Sequence, residues 1–194
     1  MMLLMIFLFM AAEFHPKVLM LVAPDGFRDE EYIVPRRILE DNGAYITVAS
    51  TRKGELKGML GLKIQADTVV YQVNPLDFDA IVLVGGVGST IYWEDDSVHS
   101  MIKKAYDSLK VVAAICLAPA TLANAGILTN KKATVFPTST SLQIFEANNV
   151  KYVKDGVVIA DRIVTASGPQ FAEKFGESIW QLLKKYAGST TKSK

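Results

Sequence analysis

The stretch Val111-Val112-Ala113-Ala114-Ile115-Cys116-Leu117-Ala118-Pro119-Ala120-Thr121-Leu122 decides the fold. Its first five residues are apolar and rich in β-branched side chains, the signature of a strand buried on both faces, and helix formers follow with almost no loop. A strand that passes straight into a helix is the repeating unit of a parallel α/β sheet. The junction residue, Cys116, is the only cysteine in the chain. It falls at the carboxyl edge of the sheet, where open α/β folds bind ligands and where nucleophile elbows sit. A thiol there faces the first free N–H groups of the helix, so the pattern predicts a Cys116 that titrates well below an ordinary thiol, at about 8.5. The competing reading is a small buried hydrophobe.

The same rhythm continues on both sides of this unit. Apolar strand signals occupy 17–23, 44–50, 79–84, 111–115 and 162–166, and helix signals occupy 29–42, 95–109, 118–125, 139–147 and 169–185. Glycines and alternating apolar residues over 55–73 read as short antiparallel pieces, and 132–136 as a short strand. Asp155-Gly156 marks a hairpin over 151–159. Pro35 is tolerated only close to the start of the first helix. The pattern predicts an α/β domain over 17–187, a mostly parallel sheet with helices on both faces, followed by a polar tail at 188–194.

The chain has 194 residues, half of them hydrophobic, enough for one domain with a sizeable core. With 21 basic and 20 acidic residues the net charge is +1, which speaks against an electrostatic nucleic-acid binder. One cysteine allows no intrachain disulfide, and His15 and His99 are the only histidines, so neither a metal site nor a bound cofactor is expected. Residues 1–12 are unbrokenly apolar. That run is shorter than the roughly 20 residues of an ordinary membrane span and lacks a basic segment before it. Three readings fit the extension at 1–16: a signal or weak membrane anchor, a helix packed on the protein or on a partner, or an upstream start with Met10 opening the domain. A reducing, cytoplasmic location is expected, with secretion or weak anchoring as the alternative.

Two further elements face the same sheet edge. Gly85-Gly86-Val87-Gly88 ends a buried strand but lacks the G-x-G-x-x-G spacing of a dinucleotide loop. Glycine there lets backbone N–H groups approach a substrate oxygen, and Gly86 with Leu117 is a candidate oxyanion pair; a turn that needs glycine torsions is the alternative. Asp29-Glu30-Glu31 opens the first helix. Acids there ordinarily complement the helix dipole, but one that points over the sheet edge would be raised by burial and able to hydrogen-bond a thiolate. Spacing does not choose among the three.

Ala114-Ile115-Cys116-x-x-Pro119, Glu31-x-x-x-Pro35, Leu83-Val84-Gly85-Gly86 and Thr165-Ala166-Ser167-Gly168-Pro169, in this order over about 17–185, resemble the DJ-1/ThiJ/PfpI superfamily. Ala118-Pro119-Ala120-Thr121 and Phe136-Pro137-Thr138 are most similar to its ThiJ-type bacterial chaperone and stress-protein branch. The resemblance implies a flavodoxin-like three-layer sandwich and a homodimer. At the site it implies a reactive thiolate at Cys116, a protonated Glu31 touching it, and oxyanion donors at Gly86 and Leu117.

The chain also departs from its relatives. PfpI-type proteases carry histidine where Leu117 stands, and DJ-1 carries a nearby histidine where Phe136 stands and an arginine where Ser167 stands. Ala118 replaces a glycine of many members, as in the ThiJ-like branch. Amide hydrolysis needs groups that activate the nucleophile and protonate the leaving amine, so peptidase activity is not expected. Two functions follow from the resemblance. The first is a redox-sensitive cysteine in a stress-related chaperone, which needs no general base; the second is a cysteine-dependent enzyme on small reactive carbonyls, of glyoxalase or deglycase type, with Glu31 shuttling the proton. The missing histidines weaken catalysis more than oxidation, which favours the first.

Overall fold

Val18–Leu21, Ala80–Leu83 and Val111–Ile115 contain no polar residue, and every one of their side chains is buried, the condition for central parallel strands covered on both faces. The computed structural model describes residues 14–190, so the apolar run at 1–12 and the last four residues lie outside the described residues. The strands are β1 (Lys17–Leu21), β2 (Asp25–Phe27), β3 (Tyr45–Ser50), β4 (Gly54–Gly58), β5 (Lys63–Ala66), β6 (Thr68–Val69), β7 (Ala80–Leu83), β8 (Val111–Ile115), β9 (Lys132–Ala133), β10 (Lys151–Tyr152), β11 (Val157–Ala160) and β12 (Ile163–Ala166). The helices are α1 (Asp29–Asp41), α2 (Asp96–Asp107), α3 (Pro119–Asn124), α4 (Ser139–Ala147) and α5 (Ala172–Thr190).

The main sheet runs β11-β12-β8-β7-β1-β3-β6, parallel throughout except for the edge strand β11. Alternation along the strands builds two cores. Val18, Met20, Val82, Ala113 and Ile115 pack with Leu39 of α1 and Phe175, Ile179 and Leu182 of α5. Leu19, Leu21, Ile81, Leu83, Val112 and Ala114 pack with Val98 and Ile102 of α2, Leu122 of α3 and Phe145 of α4. The result is the expected mostly parallel sheet between two helical layers. A small sheet, β2-β4-β5, flanks it, with β4 and β5 antiparallel as their sequence suggests.

Three local expectations differ. The hairpin over 151–159 does not form: Lys151–Tyr152 pairs in parallel with Lys132–Ala133, and Val157–Ala160 turns back onto Ile163–Ala166. The reversal is at Asp161, with φ 57°, while Gly156 is required because a Cβ there would enter the ring of Phe171. Pro35 lies in the second turn of α1 rather than at its start. There it packs on Gly176 of α5, the missing side chain letting the two helices meet, and it leaves the Glu31 carbonyl without its usual i+4 donor. The last helix, read from sequence over 169–185, runs from Ala172 to Thr190.

Candidate active site

The β8–α3 junction has the predicted geometry. Cys116 has φ 63°, a left-handed conformation uncommon outside glycine, and is held from both sides: its N–H donates to the Ala166 carbonyl at 2.8 Å, and its own carbonyl accepts from Phe136 N–H at 2.8 Å. Trp93 Nε1 donates to the Leu117 carbonyl at 3.0 Å, fixing the next peptide. Cys116 is buried, with 8% of the residue exposed, so the site admits small reagents only.

Structure selects among the three acids. The N–H of Arg28, the residue capping α1, donates to the Gly85 carbonyl at 3.0 Å and pins the helix start against the end of β7. Successive residues then leave the helix at about 100° intervals. Asp29 turns to the β4–β5 connection, accepting from Leu60 N–H at 2.9 Å and Leu62 N–H at 2.8 Å. Glu30 turns outward and accepts from Arg28 Nε and Nη2 at 2.8 and 3.0 Å. Glu31 turns inward, fully buried, with neither carboxyl oxygen in a hydrogen bond of ordinary geometry.

Glu31 and Cys116 meet across Gly85. A Cβ at that position would lie 2.6 Å from Cys116 Cβ and 2.5 Å from the Ile115 carbonyl, and would collide with Glu31 Oε2. Gly86, at φ 97°, is the left-handed residue of the turn. Its carbonyl is taken by Ser89 N–H and Oγ at 3.1 and 2.7 Å, while its N–H and that of Leu117 act on the Cys116 sulfur. Cys116, Glu31, Gly86 and Leu117 are therefore brought together. Gly85, part of a quoted motif but given no role there, proves to be the contact point.

Burial pushes the Glu31 carboxyl from its ordinary 4.5 up to about 8, with the thiol and the Arg28 guanidinium pulling weakly downward. Burial also pushes the Cys116 thiol up to about 12, reinforced by the Glu31 charge and opposed by the N–H groups of Gly86 and Leu117. The expectation of a depressed thiol is thus corrected: this sheet edge is dry, and α3 is only six residues long. Desolvation outweighs the local donors.

No histidine takes part in the arrangement described. His15 Nδ1 contacts the Gly43 carbonyl at 2.8 Å, and His99 Nε2 contacts the Tyr92 carbonyl at 3.2 Å. Leu117 packs against the core, and Phe136, 44% exposed, flanks the elbow with hydrocarbon. Ser167 directs its N–H to the Gly156 carbonyl at 3.0 Å. Among the described residues no helix is long and apolar enough to cross a membrane.

Residues 16–182 match the DJ-1/PfpI family. An uncharacterized protein of Methanocaldococcus jannaschii is 44% identical over 87% of this chain and 83% of its own length. A protein of Thermococcus kodakarensis named as a deglycase is 37% identical over 61% of this chain and 70% of its own. Among solved structures, a ThiJ/PfpI domain protein from Brachyspira murdochii superposes with a TM-score of 0.84 at 30% identity, covering 88% of this chain and 98% of that one.

Proposed function

This chain belongs to the DJ-1/PfpI family, and we propose that it uses Cys116 as a nucleophile toward small reactive carbonyl compounds. The carrying observation is Glu31: a fully buried carboxyl without another hydrogen-bond partner, facing a thiol in a left-handed elbow. Two ionisable groups this close give up protons as a unit. The chemistry draws on the arrangement in which the remaining proton sits on Glu31 and the sulfur, as thiolate, is faced by the N–H groups of Gly86 and Leu117.

With an α-oxoaldehyde the thiolate attacks the aldehyde carbon. A C–S bond forms, the C=O π pair moves to oxygen, and that oxygen takes the Glu31 proton while the Gly86 and Leu117 N–H groups stabilise its charge. The Glu31 carboxylate then removes the proton from the carbon bearing sulfur and returns it to the neighbouring carbon, while the hydroxyl proton on the first oxygen passes to the neighbouring carbonyl oxygen. The first carbon is oxidised to a thioester and the second reduced to an alcohol, with no outside oxidant. Water cleaves the thioester to a 2-hydroxy acid and restores the thiol. One carboxyl suffices for these transfers. The deglycase named among the relatives supports this class of reaction.

We place the carbonyl reaction ahead of redox sensing, the reverse of the order preferred from sequence. Both reactions start from a thiolate, which burial opposes at Cys116, but oxidation leaves the buried Glu31 carboxyl without a part, whereas the carbonyl reaction uses it as proton carrier. Addition to a carbonyl draws on the proton exchange itself. Oxidation to sulfinic acid stays as the second reading, favoured by the same N–H groups, which would receive sulfur-bound oxygens, and within it the protein serves as a stress-related chaperone. A homodimer belongs to both readings, and light scattering checks it. The deciding experiment follows methylglyoxal loss and lactate formation with wild type, Cys116→Ala and Glu31→Gln, beside mass spectrometry after peroxide. Turnover abolished by both substitutions is expected. Sulfinic acid formation without turnover would replace this reading by the second.

A further inference from the structure

The two N–H groups that act on the Cys116 sulfur come from different segments, Gly86 from the turn after β7 and Leu117 from the elbow after β8. Their spacing therefore depends on how those segments are held together. Gly86 caps the start of a 3-10 segment, Val87–Tyr92, and Trp93 closes its end. Both ends of that segment are anchored: the Gly86 carbonyl accepts from Ser89 N–H and Oγ at 3.1 and 2.7 Å, and Tyr92 Oη donates to the Val22 carbonyl, just past β1, at 2.9 Å. From the far end the Trp93 indole reaches back to the elbow, where Nε1 donates to the Leu117 carbonyl at 3.0 Å. The Trp93 carbonyl accepts from Asn124 Nδ2 at 2.7 Å, and Asn124 Oδ1 accepts from Asn148 Nδ2 at 2.9 Å. Asn124 ends α3, the helix that Leu117 leads into, so Trp93 is bonded to both ends of that helix. Leu117 itself lies between two held carbonyls, its own on Trp93 and that of Cys116 on the Phe136 N–H at 2.8 Å. The Cys116 carbonyl and the Leu117 N–H share one planar peptide, so these two bonds constrain where that N–H points.

From these contacts we propose that Trp93 is a positioning residue, one that sets the spacing of the Gly86 and Leu117 N–H groups and so determines how well they stabilise an oxyanion formed at Cys116. It acts through the Leu117 peptide, by joining the end of the glycine turn to the elbow. Asn124 supports it from behind by holding its main chain. Donors of this kind stabilise a transition state only when they are aimed in advance at the place where charge develops, which makes the tie between their two segments part of the machinery. The proposal rests on the reading of Cys116 as a nucleophile toward carbonyl compounds.

The test sets carbonyl turnover against alkylation at the same sulfur. Addition to methylglyoxal places charge on an oxygen that the two donors stabilise, whereas iodoacetamide is attacked at a saturated carbon with iodide leaving, and no oxyanion forms. Trp93→Phe keeps an aromatic ring and deletes the Nε1–H. It should lower kcat for methylglyoxal about ten- to a hundredfold with KM little changed, while alkylation of Cys116 by iodoacetamide stays within about twofold of wild type. Asn124→Ala, which releases the Trp93 main chain and leaves the indole donor in place, should lower kcat in the same way by a smaller factor. An unchanged kcat in Trp93→Phe, or in Asn124→Ala should the first variant not fold, overturns the role of Trp93 alone. A fall in alkylation that matches the fall in turnover overturns it too, because that pattern marks loss of the elbow as a whole. Alkylation of wild type without methylglyoxal turnover overturns the carbonyl reading and this proposal with it.

Discussion

Replacing Glu31 by Gln should stabilise the protein, and by an amount that depends on pH. The carboxyl has an ordinary value of 4.5 and is pushed by burial up to about 8 in the folded protein. Between those values the folded state holds a proton that the unfolded chain has released, so stability falls as pH rises through this window and levels off above it. The favourable contribution is complete below about pH 4 and lost above the folded value. Each unit of difference corresponds to about 1.4 kcal/mol, so the loss accumulated between pH 4 and pH 7 is about 3 kcal/mol. For a domain of this size that is on the order of 6–12 °C in Tm. Urea unfolding of wild type and Glu31→Gln at half-unit steps from pH 4 to pH 8.5 isolates the effect, because the difference between the curves cancels every other titrating group. The gap should widen in favour of the variant by about 3 kcal/mol up to pH 7, order of magnitude. Parallel curves would refute the placement of a neutral, buried carboxyl beside Cys116. The site is, on this reasoning, a stability cost retained for its chemistry.

The rate of iodoacetamide labelling of Cys116 should rise with pH only above the ordinary thiol range, and Glu31→Leu, which removes the charge and hydrogen bond that reinforce the upward shift, should move that midpoint downward; an unmoved midpoint would remove Glu31 from the site. Gly85→Ala must displace the Ile115 carbonyl, Cys116 Cβ or the Glu31 carboxyl, costing about 2 kcal/mol or more and slowing labelling, which thermal melts and mass spectrometry read together. On a casein-type substrate wild type should show no cleavage above the Cys116→Ala background, since Leu117 and Phe136 stand where relatives carry histidine. Robust wild-type cleavage that disappears in Cys116→Ala would restore the protease reading.

Much of this molecule is legible along the chain because its central strands are hydrophobic without interruption. Val111–Ile115 cannot be anything but interior, and the absence of a loop before Pro119 forces the tight elbow at Cys116. Ser139–Ala147 is equally plain: Thr138 and Ser141 cap each other reciprocally, a local interaction that sequence records. The hairpin at Asp155-Gly156 misled because a favourable turn pair states only that the chain can reverse there. The glycine answers instead to the Phe171 ring, which comes from a distant segment.

At the site the division is sharper. The thiol, the glycine turn and the presence of an acid at the start of α1 follow from residue type and position, since each is a property of one strand end or one helix turn. Which of Asp29, Glu30 and Glu31 faces the sulfur depends on how α1 is rotated against the sheet, and that rotation is set by the Arg28–Gly85 hydrogen bond and by Pro35 seated on Gly176. The sign of the thiol's shift depends on how completely the sheet edge is dried, which requires α1, the glycine turn and the elbow to be in place together. Periodicity along a chain encodes which face of an element is buried; desolvation at a point is a sum over segments far apart in sequence, and only the packed structure performs it.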